Sequence, residues 1–191
     1  MIFVCAMTMA QTNAYPLLPM PQNYKVTDKS FAMGKVKIST PVLKSEWEAF
    51  IVNAGGELAD KAAAEIKVEL LPVIDGVKLN PDEAYRLSVS GKLIKIEAVT
   101  ERGVYWALQT LRQLEKKKGK KSLFAGCEIV DWPAFRIRGF MQDVGRSYIS
   151  VEELKREIEI LSRFKINVFH WHLTENQAWR LESKIFPMLN D

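Results

Sequence analysis

Apolar and polar residues alternate along Tyr85-Arg86-Leu87-Ser88-Val89 and again along Leu93-Ile94-Lys95-Ile96-Glu97-Ala98, with Ser90-Gly91-Lys92 between them. A period of two on either side of a short glycine-containing connection predicts a β-hairpin, each strand turning one face to a core. Lys35-Val36-Lys37-Ile38-Ser39 has the same period, and a further strand is expected from Glu65 to Leu71, where Pro72 ends it. At Arg102 the rhythm lengthens: Val104, Leu108, Leu111 and Leu114 fall on one face of a helix that fades into a lysine run. Ser45 with Glu48 three residues later fits a capping box for another helix through Trp47, Phe50 and Ile51, interrupted at Gly55-Gly56. Pro16, Pro19 and Pro21 exclude helix and predict an extended lead-in. Strands and helices without regular alternation imply a small α+β layer domain that ends near Ser122.

The rhythm changes after a short crossing segment, Cys127-Glu128-Ile129-Val130-Asp131-Trp132-Pro133, and a domain boundary is expected close to Pro133. Phe135 to Met141 reads as a strand. Ser150 and Glu153 cap a helix whose apolar face is Val151, Leu154, Ile158, Leu161 and Phe164. Ile166 to Leu173 follows as a strand apolar enough to be buried on both sides. Strand, helix, strand at this spacing is a βαβ unit and implies parallel pairing.

Parallel strands carry chemistry at their C-terminal ends, in the loops that follow. Two such ends are present, Gln142-Asp143-Val144-Gly145-Arg146 and Thr174-Glu175-Asn176-Gln177, and they are expected side by side. Both histidines of the chain, His170 and His172, sit two residues apart on the second strand and so share a face. A cation gathered with carboxylates at the mouth of a sheet suits a polyhydroxylated ligand, because charged partners strengthen hydrogen bonds to hydroxyls.

An apolar share of 48% and a charged share of 26% over 191 residues are those of a globular protein. No apolar run is long enough to span a membrane. The net charge of +4 is concentrated in Lys116-Lys117-Lys118-Gly119-Lys120-Lys121, which without interleaved aromatic residues reads as a solvated turn rather than a nucleic-acid surface. Cys5 and Cys127 form no disulfide framework and no metal-ligand spacing. The apolar run from Ile2 to Ala10 has the length of a signal-peptide core, so residues 1–15 are expected to be a leader and the protein to be exported, to the periplasm or outside the cell.

In this setting the sequence resembles glycoside hydrolase family 20, the β-N-acetylhexosaminidases. The likeness is carried by several separate segments in order: Leu17-Leu18-Pro19-Met20-Pro21-Gln22, Tyr85 through Gly103, Ala107-Leu108-Gln109-Thr110-Leu111-Arg112-Gln113-Leu114, Asp131-Trp132-Pro133-Ala134-Phe135-Arg136-Ile137-Arg138-Gly139, Asp143 with Arg146, and His170-Trp171-His172-Leu173-Thr174-Glu175-Asn176-Gln177-Ala178-Trp179-Arg180. The resemblance implies an α+β accessory domain over residues 16–133, followed over 134–191 by the start of a (β/α)8 TIM barrel. It also implies exo-hydrolysis of terminal β-linked N-acetylglucosamine or N-acetylgalactosamine with retention, and no cofactor. By likeness Arg146 binds hydroxyls of the terminal sugar and Glu175 orders the pocket, with Asp143, His170, His172 and Asn176 supporting them. Many members carry two aspartates where this chain has Glu175-Asn176.

The family's acid and amide-orienting carboxylate form an Asp-Glu dipeptide at a later barrel strand. The one Asp-Glu pair here, Asp82-Glu83, follows Asn80-Pro81 and reads as a turn. A barrel needs about 250 residues, so residues 134–191 are expected to supply two of its eight units. The chain is therefore read as a fragment without turnover of its own. Two rival readings remain at this point: a metal-dependent hydrolase using His170 and His172, and a non-catalytic carbohydrate-binding module. Against the second, Trp47, Trp106 and Trp132 are expected in the core.

Overall fold

The computed structural model describes residues 16–189, so the expected leader lies outside the described residues. In chain order the first elements are β1 (Asn23–Val26), β2 (Phe31–Ala32), β3 (Lys35–Ser39), helix α1 (Lys44–Asn53), β4 (Glu57–Leu58) and β5 (Ala64–Leu70). The hairpin β6 (Tyr85–Ser90) and β7 (Leu93–Ala98) follows, then helix α2 (Glu101–Gln113), β8 (Glu115–Lys118), β9 (Lys121–Phe124) and β10 (Cys127–Asp131). Seven strands make one mixed sheet in the order β1-β10-β6-β7-β5-β3-β4. Its β3, β4, β5 and β7 run parallel, while β1, β10, β6 and β7 pair antiparallel.

Period-two alternation decides which face of this sheet is dry. Val36, Ile66, Leu87, Ile94 and Ile96 are fully buried in one cluster with Trp47 and Ile51 of α1 and Leu108 and Leu111 of α2. Removing each such side chain from water contributes about 1.5–3 kcal/mol. The intervening residues form an ionic ladder on the opposite face, where Glu69 binds Lys67 at 2.6 Å and Lys95 at 3.1 Å, and Glu97 binds Lys95 at 2.6 Å and Arg86 at 3.1 Å. Helix α2 starts where Thr100 accepts a hydrogen bond from the Arg102 amide at 3.2 Å. Trp47, Trp106 and Trp132 are all buried, as expected.

Three expectations for this half are corrected. Helix α1 begins at Lys44, after Leu43 in a left-handed conformation, and no side chain caps it. Ser45 is already inside the first turn and its hydroxyl bonds Glu46 instead of closing a box with Glu48. The lysine run is a β-hairpin, β8 paired with β9, turning at Gly119 with φ 63°. Lys117 holds it down by donating to the Asn53 carbonyl at 2.9 Å and to Ser122 at 3.1 Å. Finally, the supposed crossing segment is strand β10, paired on both sides within the large sheet, because alternate residues Cys127, Ile129 and Asp131 all turn inward.

The second part is the βαβ unit: β11 (Gly139–Asp143), helix α3 (Val151–Arg163) and β12 (Val168–His172). The strands are parallel, with Gly139 opposite Val168 and Asp143 opposite His172. The capping box at Ser150 and Glu153 is present in both directions. The first strand begins four residues later than expected, because Arg138 is held by other partners. Its amide donates to Asn167 Oδ1 at 2.9 Å, and its guanidinium turns to Glu83. The predicted burial of this unit is also corrected. Of the α3 face only Leu154 is buried, and Phe140, Val168 and Trp171 stand exposed, since no second layer among the described residues covers them.

Candidate functional site

The paired ends of β11 and β12 bring Asp143 and His172 level with each other. Asp143 closes its own turn: Oδ1 accepts from the amides of Gly145 at 2.9 Å and Arg146 at 3.1 Å. These bonds, the one from Arg146 foremost, hold its carboxyl below the usual range, and charge from His172 and Arg146 adds to the effect. Its other oxygen faces Arg146 Nε at 3.4 Å and His172 Nδ1 at 3.5 Å.

Past β12 the chain folds into a two-residue ladder, β13 (Thr174–Glu175) with β14 (Ala178–Trp179). This small hairpin turns Glu175 back over the strand ends, where its Oε2 accepts from Arg146 Nη2 at 3.1 Å and lies 3.9 Å from His172 Nε2. The Asn176 amide donates to Glu175 Oε1 at 3.1 Å, and this bond, with that from Arg146, keeps the Glu175 carboxyl ionised below its ordinary pKa. The approach is close at Gly145, where a Cβ would come within 2.9 Å of Glu175 Cβ. Arg146 is thus fixed between two carboxylates yet remains exposed to solvent, and a depression of about 420 Å³ opens beside Glu175, Asn176 and Trp179.

All six residues named from the sequence fall at this strand end. Asp143, Arg146, His172 and Glu175 form one contact network. His170 lies on the same strand face as His172, with ring centroids 6.3 Å apart, and Asn176 stands at the exposed tip of the hairpin. Among the described residues no group of three or more His, Cys, Asp or Glu is placed to hold a metal ion.

The opposite ends of the same strands hold residues that sequence reasoning missed. Glu83 is buried. It binds Arg138 Nη2 at 2.5 Å and accepts from Trp106 Nε1 at 2.6 Å, joining the layer domain to the start of β11. Asp131, the last residue of β10, binds Lys165 Nζ at 2.7 Å just before β12, and Tyr85 donates to the same oxygen at 3.0 Å. Burial pulls the Lys165 ammonium below the ordinary lysine range, opposed by Asp131. The Asp82-Glu83 pair is indeed a turn, with Asp82 exposed and Glu83 buried.

The ends of these two parallel strands thus hold one cation between two carboxylates, with a histidine beside both. Residues 14–132 match "Glycosyl hydrolase family 20, domain 2", and residues 135–191 match "Glycosyl hydrolase family 20, catalytic domain". A beta-hexosaminidase of Porphyromonas gingivalis is 34% identical over 191 residues, covering 92% of this chain and 24% of that protein. One of Vibrio furnissii is 39% identical over 132 residues, 69% of this chain and 21% of that protein. The exo beta-N-acetylglucosaminidase of Vibrio harveyi, solved in complex with N-acetylglucosamine, superposes with a TM-score of 0.76 at 35% identity, over 92% of this chain and 28% of that one. The beta-N-acetylhexosaminidase of Bacteroides fragilis gives 0.77 at 29% identity, over 92% and 37%.

The chain belongs to glycoside hydrolase family 20, and comprises an accessory domain and the start of the catalytic domain. It spans about a quarter of the length of the curated relatives named above.

Proposed function

We propose that the protein carrying this chain is a β-N-acetylhexosaminidase that removes terminal, non-reducing β-linked N-acetylglucosamine or N-acetylgalactosamine from oligosaccharides or glycoconjugates. Residues 16–133 serve as its accessory domain, and residues 134–191 as the first two units of a (β/α)8 barrel. The observation that carries this reading is Arg146 between Asp143 and Glu175 at the strand ends, with His172 touching both carboxylates. Arg146 donates to sugar hydroxyls, and the two carboxylates hold its planar fork in place. Asp143 and Glu175 stay charged because the backbone amides of Arg146 and Asn176 bond to them. His170 and Asn176 complete the wall.

Family 20 is one of the groups in which the substrate's own acetamido group replaces the enzyme nucleophile. Its oxygen attacks the anomeric carbon, while one carboxylate orients the amide and a neighbouring glutamic acid protonates the leaving oxygen. Glu83 does not fill the acid's role in this reading, since its carboxylate is committed to Arg138 and Trp106. Export is part of the same reading and rests on the apolar run Ile2 to Ala10.

The test is release of nitrophenol from 4-nitrophenyl β-N-acetylglucosaminide by the product of the whole reading frame that contains these residues. Arg146→Ala is expected to lower kcat/KM by about 10- to 100-fold, the worth of a hydrogen bond to a charged group, without loss of fold. Unchanged turnover in that variant would remove Arg146 from the site.

A further inference from the structure

We propose that Arg180 is a positioning residue for the strand-end site: rooted in the hairpin that carries Glu175, it holds the loop that carries Arg146. Its amide donates to the Leu173 carbonyl at 3.0 Å, closing the base of the β13–β14 hairpin one residue beyond Trp179. Its side chain crosses to the other strand end, where Nε donates to the Val144 carbonyl at 3.0 Å. The guanidinium lies over the Tyr148 ring, 5.8 Å from its centroid. Arg146 stands midway in sequence between the two residues so touched.

The hydrogen bond does most of the holding. The peptide unit that joins Val144 to Gly145 is a rigid plane, with a carbonyl on one edge and an amide on the other. Arg180 takes the carbonyl, and Asp143 Oδ1 takes the Gly145 amide at 2.9 Å. Bonds on both edges resist rotation of this plane, and the next amide, that of Arg146, meets the same Asp143 oxygen at 3.1 Å. The Val144 amide is bound as well, to the His172 carbonyl at 3.1 Å. The direction in which Arg146 leaves the backbone is thereby set. The ring contact is secondary, because 5.8 Å is close to the outer limit of a cation–π interaction and Tyr148 is largely exposed.

The Arg146–Glu175 ion pair gives the two loops little register by itself. The Arg146 side chain is 64% exposed, and an ion pair so open to water contributes little. Arg180 acts on the main chain instead, so the spacing of the loops does not depend on that pair. A loop ordered in advance also loses less conformational freedom when a ligand binds. Arg180 touches no reacting atom in this account, which rests on the proposed role of Arg146 in binding the terminal sugar.

The test compares the wild-type gene product with its Arg180→Met, Arg146→Ala and doubly substituted variants. Methionine keeps most of the apolar stem and removes the donor. Arg180→Met is expected to lower kcat/KM for 4-nitrophenyl β-N-acetylglucosaminide by about tenfold, as for one lost hydrogen bond. The melting temperature should hardly move, since the residue is exposed. In the Arg146→Ala background the same substitution is expected to cost nothing further, because residues that act through one another are not additive. Hydrogen exchange across residues 143–148, followed by mass spectrometry on the same proteins, is expected to quicken in Arg180→Met. Full activity in that variant, an equal loss in both backgrounds, or unaltered exchange would overturn the proposal. A wild-type protein without turnover would overturn the proposed function instead, and exchange alone then decides whether Arg180 holds the loop.

Discussion

Lys165 and Asp131 form an ion pair across the seam between the two halves of the molecule, with Nζ 2.7 Å from Oδ2 and side-chain exposures of 7% and 9%. Lys165 sits at φ 62° between α3 and β12, a backbone region that favours glycine, and its side chain ends on the phenol oxygen of Tyr85 at 2.9 Å as well.

Breaking one partner of a buried pair leaves an uncompensated charge. Asp131→Asn is expected to destabilise the chain by about 3–5 kcal/mol, and adding Lys165→Met to recover much of that loss. Urea denaturation of the single and double variants measures it. Equal losses in the two would show that the residues are not coupled.

The ladder on the outer face of the large sheet makes stability depend on acidity. Hydrogen bonds from Lys95, and secondarily from Arg86, hold the Glu97 carboxyl below its ordinary value, and Lys67 and Lys95 do the same for Glu69. A carboxyl depressed on folding binds fewer protons in the native state, so stability rises with pH through the carboxylate range. The contribution is complete above the unfolded pKa and is lost as pH falls through the lower folded one. Glu97→Gln is expected to flatten the acid limb of a plot of melting temperature against pH. Added salt is expected to shrink the difference, since these groups are partly exposed.

At Gly145 the limit is space and not backbone angle. A methyl group there would lie 2.9 Å from Glu175 Cβ and 3.3 Å from Asp143 Oδ1. Gly145→Ala is expected to push the β13–β14 hairpin outward and lengthen the Arg146–Glu175 contact. In the whole gene product kcat/KM should then fall by about tenfold through misplacement alone, with little change in melting temperature. A large drop in melting temperature would mean that Gly145 serves the fold instead.

Ser150 caps α3 by a reciprocal pair, its hydroxyl accepting from the Glu153 amide at 3.2 Å while Glu153 accepts from the Ser150 amide at 3.2 Å. Ser150→Ala is expected to cost about 1 kcal/mol, and Ser150→Asp to restore most of it. Amide exchange in the first turn of α3 reads the effect directly.

Where burial follows from a residue's own period, the sequence was legible. The β6–β7 hairpin, helix α2 with Val104, Leu108, Leu111 and Leu114 inside, and the cap of α3 all stand where local pattern puts them. The Ser45–Glu48 spacing misled because a cap depends on where the helix starts, and Leu43 starts it two residues before Ser45. The lysine run misled because composition does not reveal that Lys117 turns back onto the Asn53 carbonyl. Asp143, Arg146, His172 and Glu175 could be named as neighbours because parallel pairing equates their strand ends. Glu83 and Asp131 could not, since their partners Arg138 and Lys165 are 55 and 34 residues away and belong to the other half.

That seam has a consequence for how such a protein can be rebuilt. The accessory sheet grips β11 through Arg138 and β12 through Lys165, with acids that come from one turn and from the end of one central strand. A transplanted accessory domain lacking either acid would bury a bare cation beneath the strands that carry Arg146 and Glu175. A chimera made by cutting between the two modules must therefore keep, or replace together, both partners of each pair.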